Sequence, residues 1–222
     1  MIVQNMSNKE ILSELLKDKE ELIPRLYSHL NTNKIYRKQI KSKKFPFHHW
    51  YELRTKSNNV YLVHYLVKNR TQCRKDRFNA DFLCLVDTDK GKYVYSPRRV
   101  TNPTGDTNEL IVYQPHFFKR YAERFCMELS GKELIKSFFT ENNVMCGRVG
   151  DFKWRNSDDT DFYCYMKRGI ALGHREQDGT IHYNTVLEES QFTLRQAERY
   201  TLNESLERVE ELMSNTYGQR TA

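Results

Sequence analysis

The chain has 222 residues, 36 Lys and Arg against 29 Asp and Glu, and a formal net charge of +7. That length suffices for one large domain or two small ones with a real core. Only 38% of residues are apolar, but 14 Tyr, 12 Phe and 2 Trp argue for a folded domain with a wet surface, and no apolar run is long enough for a membrane-spanning helix.

The stretch from Met1 to Glu14 lacks the apolar core of a signal peptide. Five widely spaced cysteines (Cys73, Cys84, Cys126, Cys146, Cys164) without a Cys-x-x-Cys argue for reduced thiols, a cytoplasmic location and no structural zinc. The charge is uneven. Lys34 to Arg77 holds 13 basic residues against Glu52 and Asp76, a local balance of +11 that leaves −4 for the rest. A localised basic field attracts polyanions, although a solvated basic face has the same composition.

Ser7 and Glu10 have the spacing of a capping box, and Ile11, Leu12, Leu15 and Leu16 follow at helical intervals. The helix is expected to reach Glu21 or Leu22, where Pro24 kinks it or opens a second short helix through Leu30. Lys34 to Lys44 reads as a basic helix ending before Pro46. Phe45-Pro46-Phe47-His48-His49-Trp50-Tyr51, interleaved with Lys43, Lys44, Arg54 and Lys56, has the composition of a base-stacking surface and equally that of a core plug.

Strands are expected at His49–Thr55, Val60–Lys68, Phe78–Thr88 and Lys92–Tyr95. Arg98 to Asn108, with Pro103 and Gly105, reads as a loop and as the best subdomain boundary. A short strand, Leu110–Tyr113, feeds a helix that opens at Pro115. In that helix Phe117, Phe118, Tyr121, Ala122 and Phe125 share one face, and His116, Arg120 and Arg124 form a narrow stripe along its edge, placed to line a cleft.

Ser130 and Glu133 start a second helix, and strands follow at Val144–Val149, Asp161–Lys167, Ile170–Glu176 and Thr180–Leu187. Asp178-Gly179 signals a two-residue hairpin. That register pairs Arg175 with His182 and Gly173 with Asn184 on one face, and leaves His174, Glu176 and Thr185 on the other. Helices over Ser190–Arg199 and from Leu202 to Met213 close the chain.

Metal-free RNA cleavage needs a group to take the 2′-OH proton, another to protonate the leaving oxygen, and cations for the growing phosphorane charge. His116 with Arg120 and Arg124 supplies both types in a row, and Arg175, His174 and His182 lie on a nearby hairpin. The ordinary alternative is an amphipathic helix whose arginines pair with carboxylates such as Glu123 or Glu128. The segment from His116-x-x-x-Arg120-Tyr121-x-x-Arg124 through a second helix and a strand meander to Asn184-Thr185-Val186 and Leu194-x-Gln196 resembles RelE-like and barnase-like small ribonucleases. It is most similar to helix-first, toxin-like members of phage and mobile-element origin. The resemblance covers Leu110–Gln196. It implies His116 as general acid or base, Arg120 and Arg124 as phosphate binders, and Thr185 as a site-lining hydroxyl.

The expected fold is α+β, with antiparallel hairpins and meanders and helices at the N-terminus, middle and C-terminus. Residues 1–109 form a basic helical and β-meander region and 110–222 a helix-helix-meander-helix region, or the two make one compact domain. The expected function is metal-independent cleavage or binding of RNA, in preference to DNA, with no membrane association. The alternative is a non-catalytic nucleic-acid or protein interaction module working through Lys34–Arg77. The catalytic set is His116, Arg120, Arg124, His182 and Thr185, and the nucleic-acid-binding set is Lys38, Lys41, Lys43, Lys44, Arg54 and Arg175. No residue is assigned to a metal and no cofactor is expected; a protein partner is a further expectation.

Overall fold

The computed structural model of the chain describes residues 1–3, 5–32, 38, 41, 45–69, 72, 79–102, 105–142, 146–153 and 159–192. The class is α+β. A long helix α1 (Asn8–Thr32) precedes strands β1 (Phe47–Arg54), β2 (Val60–Val67), β3 (Asn79–Thr88), β4 (Gly91–Asn102) and β5 (Gly105–Tyr113). Helices α2 (Pro115–Arg124) and α3 (Gly131–Glu141) follow, then β6 (Cys146–Lys153), β7 (Thr160–Tyr165), β8 (Ile170–Arg175), β9 (Ile181–Leu187) and a 3-10 turn at Glu189–Gln191. Ser190 and Gln191, where the first expected C-terminal helix begins, belong to this 3-10 turn, and the rest of the expected C-terminal helices beyond Phe192 lies outside the described residues.

The nine strands make one sheet in the order β1-β2-β3-β4-β5-β9-β8-β7-β6. Two antiparallel meanders, β1 to β5 and β6 to β9, meet where β5 and β9 run parallel, through Ile111↔Ile181, Val112↔His182 and Tyr113↔Tyr183. A parallel neighbour requires a long crossover, and here it contains α2, α3 and β6 to β8. The expected boundary after residue 109 falls inside β5, so both halves belong to one continuous sheet.

Each face of the sheet has its own core. On one face, Ile11, Leu15, Leu22, Leu26 and Leu30 of α1 pack over Tyr61, Val63, Tyr65, Phe82, Leu110 and Val112. On the other, Phe117, Phe118, Tyr121, Leu134, Ile135, Phe138 and Phe139 of α2 and α3 cover Leu62, Leu83, Ile111, Tyr113, Ile181 and Tyr183. Phe117 and Phe138 are fully buried and meet edge to face at 5.3 Å, a favoured aromatic geometry. The aromatic stretch before β1 is divided between these layers: Phe47 is buried under α1, whereas Trp50 donates to Thr140 Oγ1 of α3 at 3.2 Å.

Two expectations are corrected. Pro24 lies inside α1, which is continuous to Thr32; the buried stripe continues through Leu22, Leu26 and Leu30, and its burial outweighs the lost hydrogen bond. Arg98 to Asn108 is no loop, because β4 and β5 pair through it as far as Asn102↔Gly105. Its outer part, Gly105 to Asn108, is exposed, and an exposed hairpin carries no apolar alternation by which a strand can be read. The capping box at Ser7 forms, with Ser7 N–H donating to Glu10 Oε2 at 2.8 Å and Glu10 N–H to Ser7 Oγ at 3.4 Å. At Ser130 the helix starts without a side-chain cap.

One buried carboxylate fastens α1 to the sheet. Asp18 accepts hydrogen bonds from Asn59 Nδ2 at 2.6 Å, Ser57 Oγ at 2.9 Å and Tyr61 OH at 2.9 Å. Asn59 in turn accepts from the Ile2 N–H at 2.8 Å. Asp18→Ala strands the Tyr61 and Asn59 donors and should destabilise the fold by at least about 2 kcal/mol. Phe117→Ala should cost about 3–5 kcal/mol. Equilibrium denaturation of both variants checks these values.

Candidate functional site

Gln114 is the junction at which the second helical layer and β9 meet. Its backbone N–H donates to Tyr183 O at 3.1 Å, extending the parallel ladder, and its carbonyl accepts from Phe117 N–H at 2.9 Å to open α2. Beyond it α2 follows the C-terminal part of β9. His116 is hydrogen-bonded to the Asn184 backbone, and Arg124 donates through Nη1 to Gln191 Oε1. The expected stripe therefore runs along the seam between α2 and β9. The cleft between α2 and α3, lined by Pro115, Phe118, Ala122 and Leu134, opens on another side of the helix.

His116 and Arg120 are exposed and Arg124 is half-buried. Among the described residues no carboxylate lies within ion-pairing reach of either arginine; Glu123 is paired with Lys119 at 3.8 Å instead. Burial, aided by the Arg120 guanidinium, lowers the His116 pKa below the ordinary imidazole value, and the Asn184 backbone opposes that shift. His116 is therefore largely neutral at pH 7 and able to accept a proton.

The neighbouring hairpin departs from the expected register. Glu176 N–H bonds Thr180 O at 2.9 Å, so the loop is the three residues Gln177, Asp178 and Gly179, with Gly179 at φ +90°. A three-residue turn closed by a left-handed residue is a standard hairpin solution, and it moves the register by one position relative to a two-residue loop. His174 now pairs with His182 and Arg175 with Ile181. A second irregularity lies between Leu172↔Thr185 and Gly173↔Tyr183, where Asn184 is the extra residue of a bulge. Gly173 permits the close approach there: a Cβ at that position would lie 1.8 Å from the His182 carbonyl oxygen.

These two features gather three polar side chains on the face of the sheet that carries α1. The His174 and His182 rings stack in parallel, 4.9 Å between centroids and 6° between planes. Glu176 Oε1 lies 2.8 Å from His182 Nε2. That nitrogen is buried, and among the described residues nothing completes a hydrogen bond to it, the carboxylate lying off the bonding direction. Gln114 Nε2 is 3.3 Å from His182 Nδ1, and Asn184 Nδ2 is 3.1 Å from His174 Nδ1. Asn8, at the start of α1, donates through Nδ2 to Glu176 Oε2 at 2.7 Å and Asp178 Oδ2 at 3.3 Å.

Burial pushes His182 below the usual imidazole range against the pull of Asp178 and Asp159. Burial raises the Glu176 carboxyl, and the negative charges of Asp178 and Asp159 raise it further. Asp178 moves the opposite way: burial works to raise it, but hydrogen bonds from Thr180 and Asn8 win.

Of the expected catalytic residues, His116, Arg120 and Arg124 share the seam. His182 joins His174 and Glu176, and Thr185 spends its hydroxyl on Val186 O at 3.4 Å. The expected nucleic-acid-binding residues are dispersed. Arg175 bonds Glu109 at 2.6 Å, and Arg54 bonds Asn58 at 2.6 Å in its own turn. They sit on β8 and β1, six strand spacings apart, on the order of 29 Å. Lys38 and Lys41 are helical and exposed, whereas Lys43 and Lys44 lie outside the described residues.

A second polar chain, invisible in the sequence, crosses the first meander. Asp81 Oδ2 is 3.2 Å from His64 Nδ1, and His64 Nε2 is 3.0 Å from His48 Nδ1. The buried His64 ring lies under Trp50 at 4.4 Å. The three polar residues are brought together only by the pairings Trp50↔His64 and His64↔Asp81.

Comparison of the chain with protein-family models, curated proteins and solved structures finds no significant match.

Two outcomes test this geometry. Gly173→Ala should open the bulge and separate His174 from His182, seen as a lowered melting temperature and lost cross-strand contacts in nuclear magnetic resonance spectra. His48, His49, His116 and His182 are all held, chiefly by burial, below the ordinary imidazole value of 6.5. The unfolded chain therefore binds protons that the folded chain refuses as the pH falls through that value, and stability should decline from about pH 7.5 downward until the lower folded-state values are passed. The raised Glu176 carboxyl acts in the other direction, but only in the carboxylate range above 4.5. Chemical denaturation at stepped pH measures the slope, which His182→Gln should reduce.

Proposed function

We propose that the protein binds and cleaves RNA at the α2–β9 seam, with His116 moving the proton and Arg120 and Arg124 holding the phosphate. One observation carries the reading: a largely neutral histidine that meets a strand backbone is followed, one and two helical turns on, by two arginines that have no carboxylate partner among the described residues. In cleavage, His116 takes the proton of the ribose 2′-OH, the 2′ oxygen bonds to phosphorus, and the bond to the 5′ oxygen breaks. The leaving oxygen takes a proton from the imidazolium or from water. The arginine forks stabilise the charge that grows on the phosphoryl oxygens. No step requires a metal ion. The resemblance of Leu110–Gln196 to RelE-like and barnase-like ribonucleases supports the same assignment, and fold analogy is the weaker of the two supports.

The experiment compares the purified protein with His116→Ala, Arg120→Ala and Arg124→Ala on mixed RNA. His116 is exposed, so its removal should leave the melting temperature nearly unchanged while cleavage falls by roughly 10²–10⁴. Each arginine variant should weaken both binding and turnover and reduce the salt dependence of binding by about one unit of slope. No cleavage by the parent protein, or equal cleavage by His116→Ala, overturns the reading. Binding lost only when Lys38, Lys41, Lys43 and Lys44 are removed together would move the interaction to the basic region.

A further inference from the structure

The α1-side face of the β8–β9 hairpin carries a group of donors that the proposed phosphate chemistry does not use. A ring nitrogen of His174, a ring nitrogen of His182 and a carboxylate oxygen of Glu176 all lie within 4.8 Å of one another. We propose that these three side chains bind one divalent transition-metal ion of the zinc class. Two imidazoles and one carboxylate are a borderline-soft N/O donor set, which suits zinc, cobalt or nickel in preference to calcium or magnesium. Ligand atoms of a tetrahedral site stand about 3.3 Å apart when metal–ligand bonds are near 2.0–2.1 Å, so small side-chain rotations close the observed spacing around an ion.

Three features of the surroundings point to a cation. His182 Nε2 is buried and faces the Glu176 carboxylate without a hydrogen bond; an unsatisfied buried nitrogen is costly unless something binds it. The other nitrogen of the same ring is held by the Gln114 amide, and Asn184 stands in the same relation to His174 Nδ1. As placed, the amide nitrogens face the two Nδ1 atoms; turning each amide over exchanges its O and N, and an oxygen accepting from Nδ1–H then fixes the tautomer and orientation of a ligating imidazole. Asn8 occupies Glu176 Oε2 and leaves Oε1 directed at the histidines, while Asp178 and Asp159 add negative charge around the group. With three protein ligands, one coordination position is left for water or for an anionic oxygen.

The ion takes no part in the proton transfer assigned to His116, so the two proposals fail separately. The test is metal binding by the full chain after chelator treatment, followed by titration with Co(II) and competition with Zn(II). One equivalent of Co(II) should bind per chain and develop the visible absorption of a site of low coordination number. His182→Gln and Glu176→Gln should weaken binding by about 100-fold or more, and Gln114→Ala by roughly 10–100-fold. His48→Gln, in the other histidine chain, should leave it unchanged. Glu176 is partly exposed, so its variant keeps the fold, which circular dichroism checks. Absence of stoichiometric binding, or affinity equal in the parent, His182→Gln and Glu176→Gln proteins, overturns the proposal whatever the RNA assay shows.

Discussion

Everything distinctive in this architecture depends on the short parallel pairing of β5 with β9. Three residue pairs join two antiparallel meanders into one nine-stranded sheet. Because the register sets Ile111 and Tyr113 beside Ile181 and Tyr183, both strands offer the same face to α2 and α3. The stacked Tyr113–Tyr183 pair, 5.1 Å between centroids, lies at the centre of that contact. The residues between them, Val112 and His182, turn to the α1 side. The packing that closes the sheet thus also places a histidine on its opposite face, next to Tyr183 in the chain and opposite Val112, the neighbour of Tyr113.

Gln114 links this pairing to both candidate sites. It ends the ladder, begins α2 and places its amide on His182. Pro115 fixes the backbone at the helix start, where a missing N–H costs nothing. The position of His116 against Asn184 follows from that entry, and the 3.6-residue period carries the stripe on to Arg120 and Arg124. The hydrophobic face of α2 then fixes the rotation of the helix: with Phe117, Phe118 and Tyr121 buried, the basic edge has no choice but the β9 side.

The sequence disclosed local features well and pairings poorly. The α2 stripe, the Ser7 capping box and most strands were legible because each rests on a periodicity or cap that a few adjacent residues carry. The outer β4–β5 hairpin was not, because its exposed residues alternate nothing. The His174–Glu176–His182 group failed for a sharper reason. Asp178-Gly179 is an equally good signal for a two-residue loop and for a three-residue loop ending in a left-handed glycine. One residue of difference sends His182 to the opposite side of the sheet from His174. The Asp81–His64–His48 chain spans three strands, and no local pattern specifies which residues of separate strands stand opposite.

The bulge at Asn184 has the most far-reaching physical consequence of the fold. It restores the outer register, so that Leu172 and Leu187 can pack with Tyr165 and Ile170, while Val186 returns to the α2–α3 core. The same residue then serves two neighbours: its backbone bonds His116 on the seam, and its side-chain amide reaches His174 on the α1 face. A displacement of Asn184 therefore moves a group on each side of the sheet. Gly173 makes that arrangement sterically possible, since any Cβ there would enter the His182 carbonyl. The two candidate sites thus share one backbone irregularity, and changes to the irregularity act on both, whereas changes to either histidine act on one.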